Sequence, residues 1–198
     1  MFYDAVRNDH GFEFDPFKAI VAPRPIGWIS SLSPEGTANL APYSYFNAMS
    51  QAPHYVVFGS GPRKDSLRNI EATGEFAVNL ATFDLREKMS LTSAGVAAGV
   101  DEFDLAGLAK APCRLIKAPR VAESPACLEC RLHQVVDLPS DDGVARNHLA
   151  IGRVVGIHID DRFITAGRVD TAAMRPIARM GYSEYATVTE AWRLRRPG

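Results

Sequence analysis

The run from Pro23 to Leu80, PRPIGWISSLSPEGTANLAPYSYFNAMSQAPHYVVFGSGPRKDSLRNIEATGEFAVNL, reads in order as strand, tight turn, strand, strand, helix and strand. Trp28 to Leu32 is an apolar and hydroxyl run of strand character, and Ser33-Pro34-Glu35-Gly36 has Pro second and Gly fourth, which suits a type I turn. A second strand is expected near Thr37, and the two pair as a hairpin that brings Ser30 and Ser31 near Asn39 to Ser44. Pro42 removes a backbone donor and is incompatible with the middle of a regular central strand, while Asn39, Ser44 and two tyrosines crowd the same stretch. Polar groups and a forced irregularity suit a strand built around a ligand rather than a core.

The third strand, Tyr55 to Phe58, runs into Gly59 and Gly61 and then into Pro62-Arg63-Lys64-Asp65-Ser66. Asp65 or Ser66 is placed to cap a helix whose apolar residues Leu67 and Ile70 are three apart, and Gly74 closes it. Free N–H groups at such a start favour an anion, and Arg63 and Lys64 add charge and directed donors. The GxxxxGK[ST] pattern of a P-loop is absent. An ordinary capped helix with two solvated cations is the plainer alternative, and Asp65 opposes an anion if its carboxylate faces the site.

At 198 residues, with 46% hydrophobic and 23% charged residues and a net charge of −1, the chain has the size and balance of one ordinary globular domain, residues 1–198. The basic residues are scattered apart from Arg193, Arg195 and Arg196, which read as a solvated tail, so no nucleic-acid partner is expected. No apolar run is long enough for a membrane span and the mixed, acidic N-terminus is no signal peptide; no membrane partner is expected, and the expected location is the cytoplasm. There is no internal repeat or dividing linker.

Cys127 and Cys130 form a C-x-x-C, but Ala126 to Leu138 reads as a strand, on which residues three apart point to opposite faces. They then neither bridge nor share a metal, and Cys113 supplies no second motif, so a structural role is expected. The five histidines show no HExxH or other ligand spacing, and no metal site is expected. His158 shares a strand face with Ala150, Gly152, Val154 and Gly156, small residues that permit close approach of a subunit, a bound ring or a neighbouring strand. A second helix is expected from Asp84, with Glu87 completing a capping box, past Met89 towards Gly95. Val100 to Pro112 reads as a mobile or partner-facing segment in which Asp101 caps a short turn, with Leu105 and Leu108 lining a pocket or anchoring the loop.

Taken in order, the WISS strand, N-x-A-P-x-S-x-F-N at Asn39 to Asn47, KDS-x-x-NI at Lys64 to Ile70, TGEFAVNL at Thr73 to Leu80, CLEC, IGRVVGIHIDD at Ile151 to Asp161 and PIARMGYSEY at Pro176 to Tyr185 span most of the chain. This order resembles the flavin reductase-like proteins of the FMN-binding split-barrel superfamily, particularly the flavoredoxin-type branch. The resemblance implies a mainly β (α+β) fold, an antiparallel Greek-key split β-barrel with peripheral helices, binding FMN at or near the interface of a homodimer. It implies that Trp28, Ser30 and Ser31 flank the isoalloxazine and ribityl chain, and that Asn39, Ala41, Pro42, Ser44, Tyr45 and Phe46 form its main wall. Arg63, Lys64 and Ser66 match the phosphate end, and Arg179 and Gly181 a C-terminal stretch that approaches the flavin. The familiar form of that stretch has a second Gly where this chain has Tyr182.

Hydride passes between nicotinamide C4 and flavin N5, so the cofactor carries the reaction and the protein positions two rings. No catalytic triad or carboxylate pair is required, and none is visible. The implied activity is NAD(P)H-dependent reduction of flavin or a small electrophile, with a small molecule or protein as electron acceptor. The alternatives are a flavoredoxin-like electron carrier that holds FMN without a nicotinamide site, and a scaffold that has lost the cofactor. Arg24 and Arg179 are candidate cations beside reduced flavin, or ion-pair residues.

Overall fold

The computed structural model describes residues 1–97 and 99–195, so Arg196 of the expected tail lies outside the described residues. A one-turn helix α1 (Phe17–Ile20) and a short strand β1 (Arg24–Pro25) lead into β2 (Gly27–Leu32), β3 (Ala38–Tyr43), β4 (Phe46–Gln51) and β5 (His54–Ser60). Helix α2 (Asp65–Thr73) and β6 (Glu75–Leu80) follow, then α3 (Arg86–Leu91), α4 (Glu102–Leu105) and the two-residue strands β7 (Lys110–Ala111) and β8 (Arg120–Val121). The long strands β9 (Ala126–Pro139) and β10 (Ala145–Ile159) come next, then the small pair β11 (Ile164–Thr165) and β12 (Arg168–Val169). Strands β13 (Ile177–Arg179) and β14 (Tyr185–Thr187) end the order, β13 lying between β1 and β14 in a small three-stranded antiparallel sheet.

The main sheet is antiparallel, seven strands in the order β3-β2-β6-β9-β10-β5-β4. Its hairpin turn is the expected one: Gly36 donates to Ser33 O at 3.0 Å and takes φ 91°, a conformation glycine adopts without a Cβ clash. The sheet leaves β3 and β4 at opposite edges although they follow one another in the chain, and Gly59 N–H reaches back to Tyr45 O at 2.7 Å. Pro42 therefore sits on an edge strand, opposite Trp28, where a missing N–H interrupts only one ladder.

Strand alternation sorts the core into two sides. Ile29, Phe76, Val78 and Cys130 face one side with Val56, Phe58, Leu67 and Ile70, so α2 covers that face. Trp28 goes to the other with Leu40, Met89, Phe103, Leu108 and Val121, while Ala77 and Cys127 join Ile116 and Ala118. Cys127 and Cys130 thus occupy opposite faces, as strand geometry requires. Gly152 has its physical reason in the sheet itself, since a Cβ there would meet the Phe76 ring at 2.3 Å.

Two expectations need correction. The segment Val100 to Pro112 is anchored to the core: Phe103 is fully buried, Ala106 and Leu108 are buried, and Leu108 N–H closes onto Phe103 O at 2.8 Å, while Val100 and Leu105 stay exposed. Asp101 does cap α4, accepting from Phe103 N–H at 2.9 Å. The helix expected from Asp84 begins instead as a 3-10 turn, Phe83–Leu85, without a capping box, because Asp84 pairs with Arg175 at 3.0 Å and Glu87 with Arg86 at 3.4 Å. It stops at Leu91, where Thr92 Oγ1 accepts the Trp28 indole N–H at 2.9 Å.

Candidate functional site

Helix α2 starts without a side-chain cap. Lys64 is its N-cap residue, in extended backbone, and the first helical bond runs from Arg68 N–H to Lys64 O at 3.0 Å. Neither expected cap serves: Ser66 Oγ donates to Asn39 Oδ1 at 2.5 Å, and Asp65 pairs with Arg68. The N–H groups of Asp65, Ser66 and Leu67 are left for an outside acceptor, at the positive end of the helix dipole. Gly74 closes the other end as expected, at φ 74° with its N–H on Ile70 O at 2.8 Å.

This helix start opens into a cavity of about 450 Å³. Asn39, Ala41, Pro42 and Tyr43 of β3 form one wall, Ser60 to Ser66 and Arg68 a second, and Thr92 to Val96 with Glu102 a third. Its cations are not equivalent. Arg63 is held between Glu71 and Asp137, the latter at 3.2 Å, and Arg68 is held by Asp65. Lys64 is exposed and makes no ion pair among the described residues. An exposed pair contributes little energy but does fix where a guanidinium points, so Lys64 is the cation free to follow a ligand.

Glu102 lies beneath that wall at 5% exposure. Asn39 Nδ2 donates to both of its oxygens at 3.0 Å, and Leu40 N–H donates to Oε2 at 2.9 Å. Burial holds its carboxyl above the usual range; the donors from Leu40 and Asn39 pull the other way, and Asp65 adds to the rise. Burial likewise raises the Tyr43 phenol, with Ser66 and Ser60 as its nearest hydroxyls.

A second cavity, of about 470 Å³, lies along the continuation of the same chain: Ser44, Tyr45, Phe46 and Asn47 face Ile20 to Pro25, Val57, Gly59 and Leu149. Arg24 lines it at 6% exposure. Its guanidinium donates to Lys18 O at 2.5 Å, to Val21 O, and to Met180 O at 2.8 Å, while Nε is a buried donor with no partner among the described residues. Arg179, paired opposite Arg24 in the β1–β13 ladder, folds onto its own hairpin, donating to Tyr185 Oη at 2.6 Å and to Tyr182 O. Gly181 packs against Ala19, where a Cβ would approach to 2.7 Å. Tyr182 takes φ 53°, the left-handed backbone in which a glycine is unstrained; that conformation is the physical sense of a second Gly in the familiar form.

The implied site residues are thus distributed among four places. Asn39, Ala41, Pro42, Arg63, Lys64 and Ser66 line the first cavity, and Ser44, Tyr45 and Phe46 the second. Trp28, Ser30 and Ser31 are fully buried behind the first, with Ser30 Oγ donating to Pro119 O at 2.6 Å and Asn69 Nδ2 donating to Ser31 Oγ at 3.4 Å. Arg179 and Gly181 stand on the C-terminal hairpin beyond Arg24. Sequence reasoning missed Tyr43, Glu102 and the Thr92 to Val96 wall. A glutamate between Asp101 and Phe103 carries no local mark of burial, since its partners Asn39 and Leu40 are 63 and 62 residues away.

Among the described residues no helix is long and apolar enough to cross a membrane, and no group of three or more His, Cys, Asp or Glu converges as a metal site would. Comparison with known proteins adds three structural likenesses. Nitrilotriacetate monooxygenase component B from Bacillus cereus is 30% identical, with a TM-score of 0.86 over 94% of this chain and 96% of that one. The 2-nitrobenzoate 2-nitroreductase NbaA of Pseudomonas fluorescens is also 30% identical, with a TM-score of 0.82 over 91% and 88%. Flavoredoxin of Desulfovibrio vulgaris (Miyazaki F), at 17% identity, shares the fold with a TM-score of 0.78 over 87% and 90%. The family model for the flavin reductase like domain matches residues 21–171, and this chain belongs to that family.

Proposed function

We propose that the chain holds FMN and acts as an NAD(P)H-dependent oxidoreductase, reducing flavin or a small electrophilic acceptor. The observation that carries this reading is the unpaired Lys64 ammonium beside the open N–H groups of α2, at a cavity of about 450 Å³, in a chain of the flavin reductase like family. When bound, the flavin supplies hydride transfer at N5. The donor set fits such a molecule at both ends. Lys64 and the helix start meet a phosphate dianion with charge and directed N–H groups. Arg24, a cation on the wall of the second cavity with a buried Nε donor that has no partner among the described residues, supports stabilisation of negative charge on a reduced ring there. Phe46 and Tyr45 on the same wall offer aromatic surface for a ring.

The same reading takes residues 1–198 as one domain, a Greek-key split barrel with peripheral helices, working as a cytoplasmic homodimer. Exposed Phe17, Ile20, Val21, Tyr45 and Met49, all at or near the second cavity, support a second subunit on that face. Sedimentation at micromolar concentration tests the dimer.

The test of function is the visible spectrum of the purified protein, with FMN added if it is colourless, followed anaerobically after NADH or NADPH. Bound flavin that bleaches within seconds is the expected result. Bound flavin that stays oxidised replaces the reductase with an electron carrier fed by another donor. A protein that takes up no FMN loses the functional reading altogether.

A further inference from the structure

The direction of hydrogen bonding between Glu102 and Ser66 is fixed by chemistry rather than by choice. An ionised carboxylate only accepts, so Asn39 must turn its NH₂ to Glu102, at 3.0 Å from each oxygen, and its carbonyl to Ser66. Ser66 has one hydroxyl proton, and it goes to Asn39 Oδ1 at 2.5 Å. Toward the cavity, where the Tyr43 phenol is a second neighbour able to donate to it, Ser66 Oγ offers lone pairs alone, and so does a phosphate oxygen.

We infer that Glu102 is a positioning residue that acts through Asn39 to fix Ser66 Oγ as an acceptor, and so decides which part of the ligand Ser66 receives: a hydroxyl of a polyol chain and not the phosphate. The inference rests on the flavin reading and refines it. It assigns the phosphate to Lys64 and the open N–H groups of α2, and it assigns the Ser66 side chain to the ribityl end. If Glu102 carries a proton, it donates to Asn39 Oδ1 once that amide turns over; the Asn39 NH₂ then donates to Ser66, and the Ser66 proton is released to a phosphate oxygen. The charged and titratable groups around Glu102 are Asp65 and Arg68 of α2, Lys64 before it and Tyr43 of β3. On its own element Asp101 and Asp104 are both taken by Lys110, at 2.5 and 3.1 Å.

Riboflavin lacks only the phosphate of FMN, so the ratio of their dissociation constants isolates what the phosphate contributes. Flavin fluorescence titrations at about pH 8, where the phosphate is a dianion, compare wild type, Glu102→Gln, Ser66→Ala and the double variant. The Gln side chain imitates the protonated acid. Reversal of the relay adds one hydrogen bond to phosphate, so Glu102→Gln should raise the preference for FMN over riboflavin about three- to tenfold. In the Ser66→Ala background the same change should move it less than about twofold, the signature of coupling through the hydroxyl. Equal gains in both backgrounds would assign the effect to the charge of Glu102 alone and overturn the inference; no gain in either overturns it too. Asn39→Ala frees the Ser66 proton by a separate route and must give a gain that Ser66→Ala removes, which keeps the test decisive where Glu102→Gln does not fold. Wild-type protein that binds neither flavin removes the flavin reading itself, whereas normal FMN binding with an uncoupled cycle removes only the relay.

Discussion

The cavity at Lys64 and the cavity at Arg24 are lined by one continuous stretch of chain, Asn39 to Asn47, yet they treat their cations in opposite ways. Arg24 is buried and roped to the carbonyls of Lys18, Val21 and Met180, so it ties the N-terminal segment to the C-terminal hairpin, with Nε buried and without a partner among the described residues. Lys64 is exposed at an uncapped helix start and tied to nothing among the described residues. A cation satisfied by its own backbone holds the fold, and one left unsatisfied beside free N–H groups awaits an anion.

The largest effect separating the two should come from Arg24→Met, which removes a buried guanidinium and leaves the Lys18, Val21 and Met180 carbonyls without the donor that ties them together. It should lower folding stability by about 3 kcal/mol, read as a fall in the urea midpoint. Lys64→Ala should do the reverse, weakening FMN binding by roughly 1.5–3 kcal/mol while the urea midpoint and the riboflavin affinity stay where they were. An unchanged FMN dissociation constant would take Lys64 out of the site and collapse the distinction. Arg63→Ala sharpens it from within the first cavity: because Glu71 and Asp137 already hold that guanidinium, FMN binding should change by less than about 0.5 kcal/mol. A loss as large as that of Lys64→Ala would mean Arg63 leaves its ion pairs for the ligand.

The smallest expected effect is one of pH. Burial keeps the Glu102 carboxyl above its ordinary 4.5, so the folded chain holds that proton more tightly than the unfolded one. The folded state then binds more protons in the window from about 4.5 up to the raised value, and stability falls as pH rises through it. Glu102→Gln lacks this component, so the variant's stability relative to wild type should rise with pH across that window in urea titrations. A difference that does not change with pH would show Glu102 titrating alike in both states.

What the residues disclosed in advance was local. The Ser33 to Gly36 turn, the Gly74 helix stop, the opposed faces of Cys127 and Cys130 and the exclusion of Pro42 from a central strand each follow from backbone geometry within a few residues. The misreadings share one cause, competition from a distant partner. Ser66 looks like a helix cap, but Asn39, 27 residues away, takes its proton. Asp84 looks like the start of a capping box, and Arg175, 91 residues away, claims it. The stretch after Val100 is rich in Gly and Ala, yet Phe103 and Leu108 find a core made by β2, β3 and α3. The order of pieces named residues that share the wall of the first cavity, whereas nothing local shows that Ser44 to Phe46 turn into a separate one, because that depends on β3 and β4 lying at opposite edges of the sheet.

Trp28 gives the protein an optical gauge of its own cavity. Its indole is fully buried and hydrogen-bonded to Thr92, a wall residue, so a bound chromophore absorbing in the near ultraviolet lies close enough to drain its emission. Of the two tryptophans in the chain, Trp192 is 79% exposed and open to acrylamide. With that signal quenched, the light that remains comes from Trp28, and occupancy can be followed in the unlabelled chain.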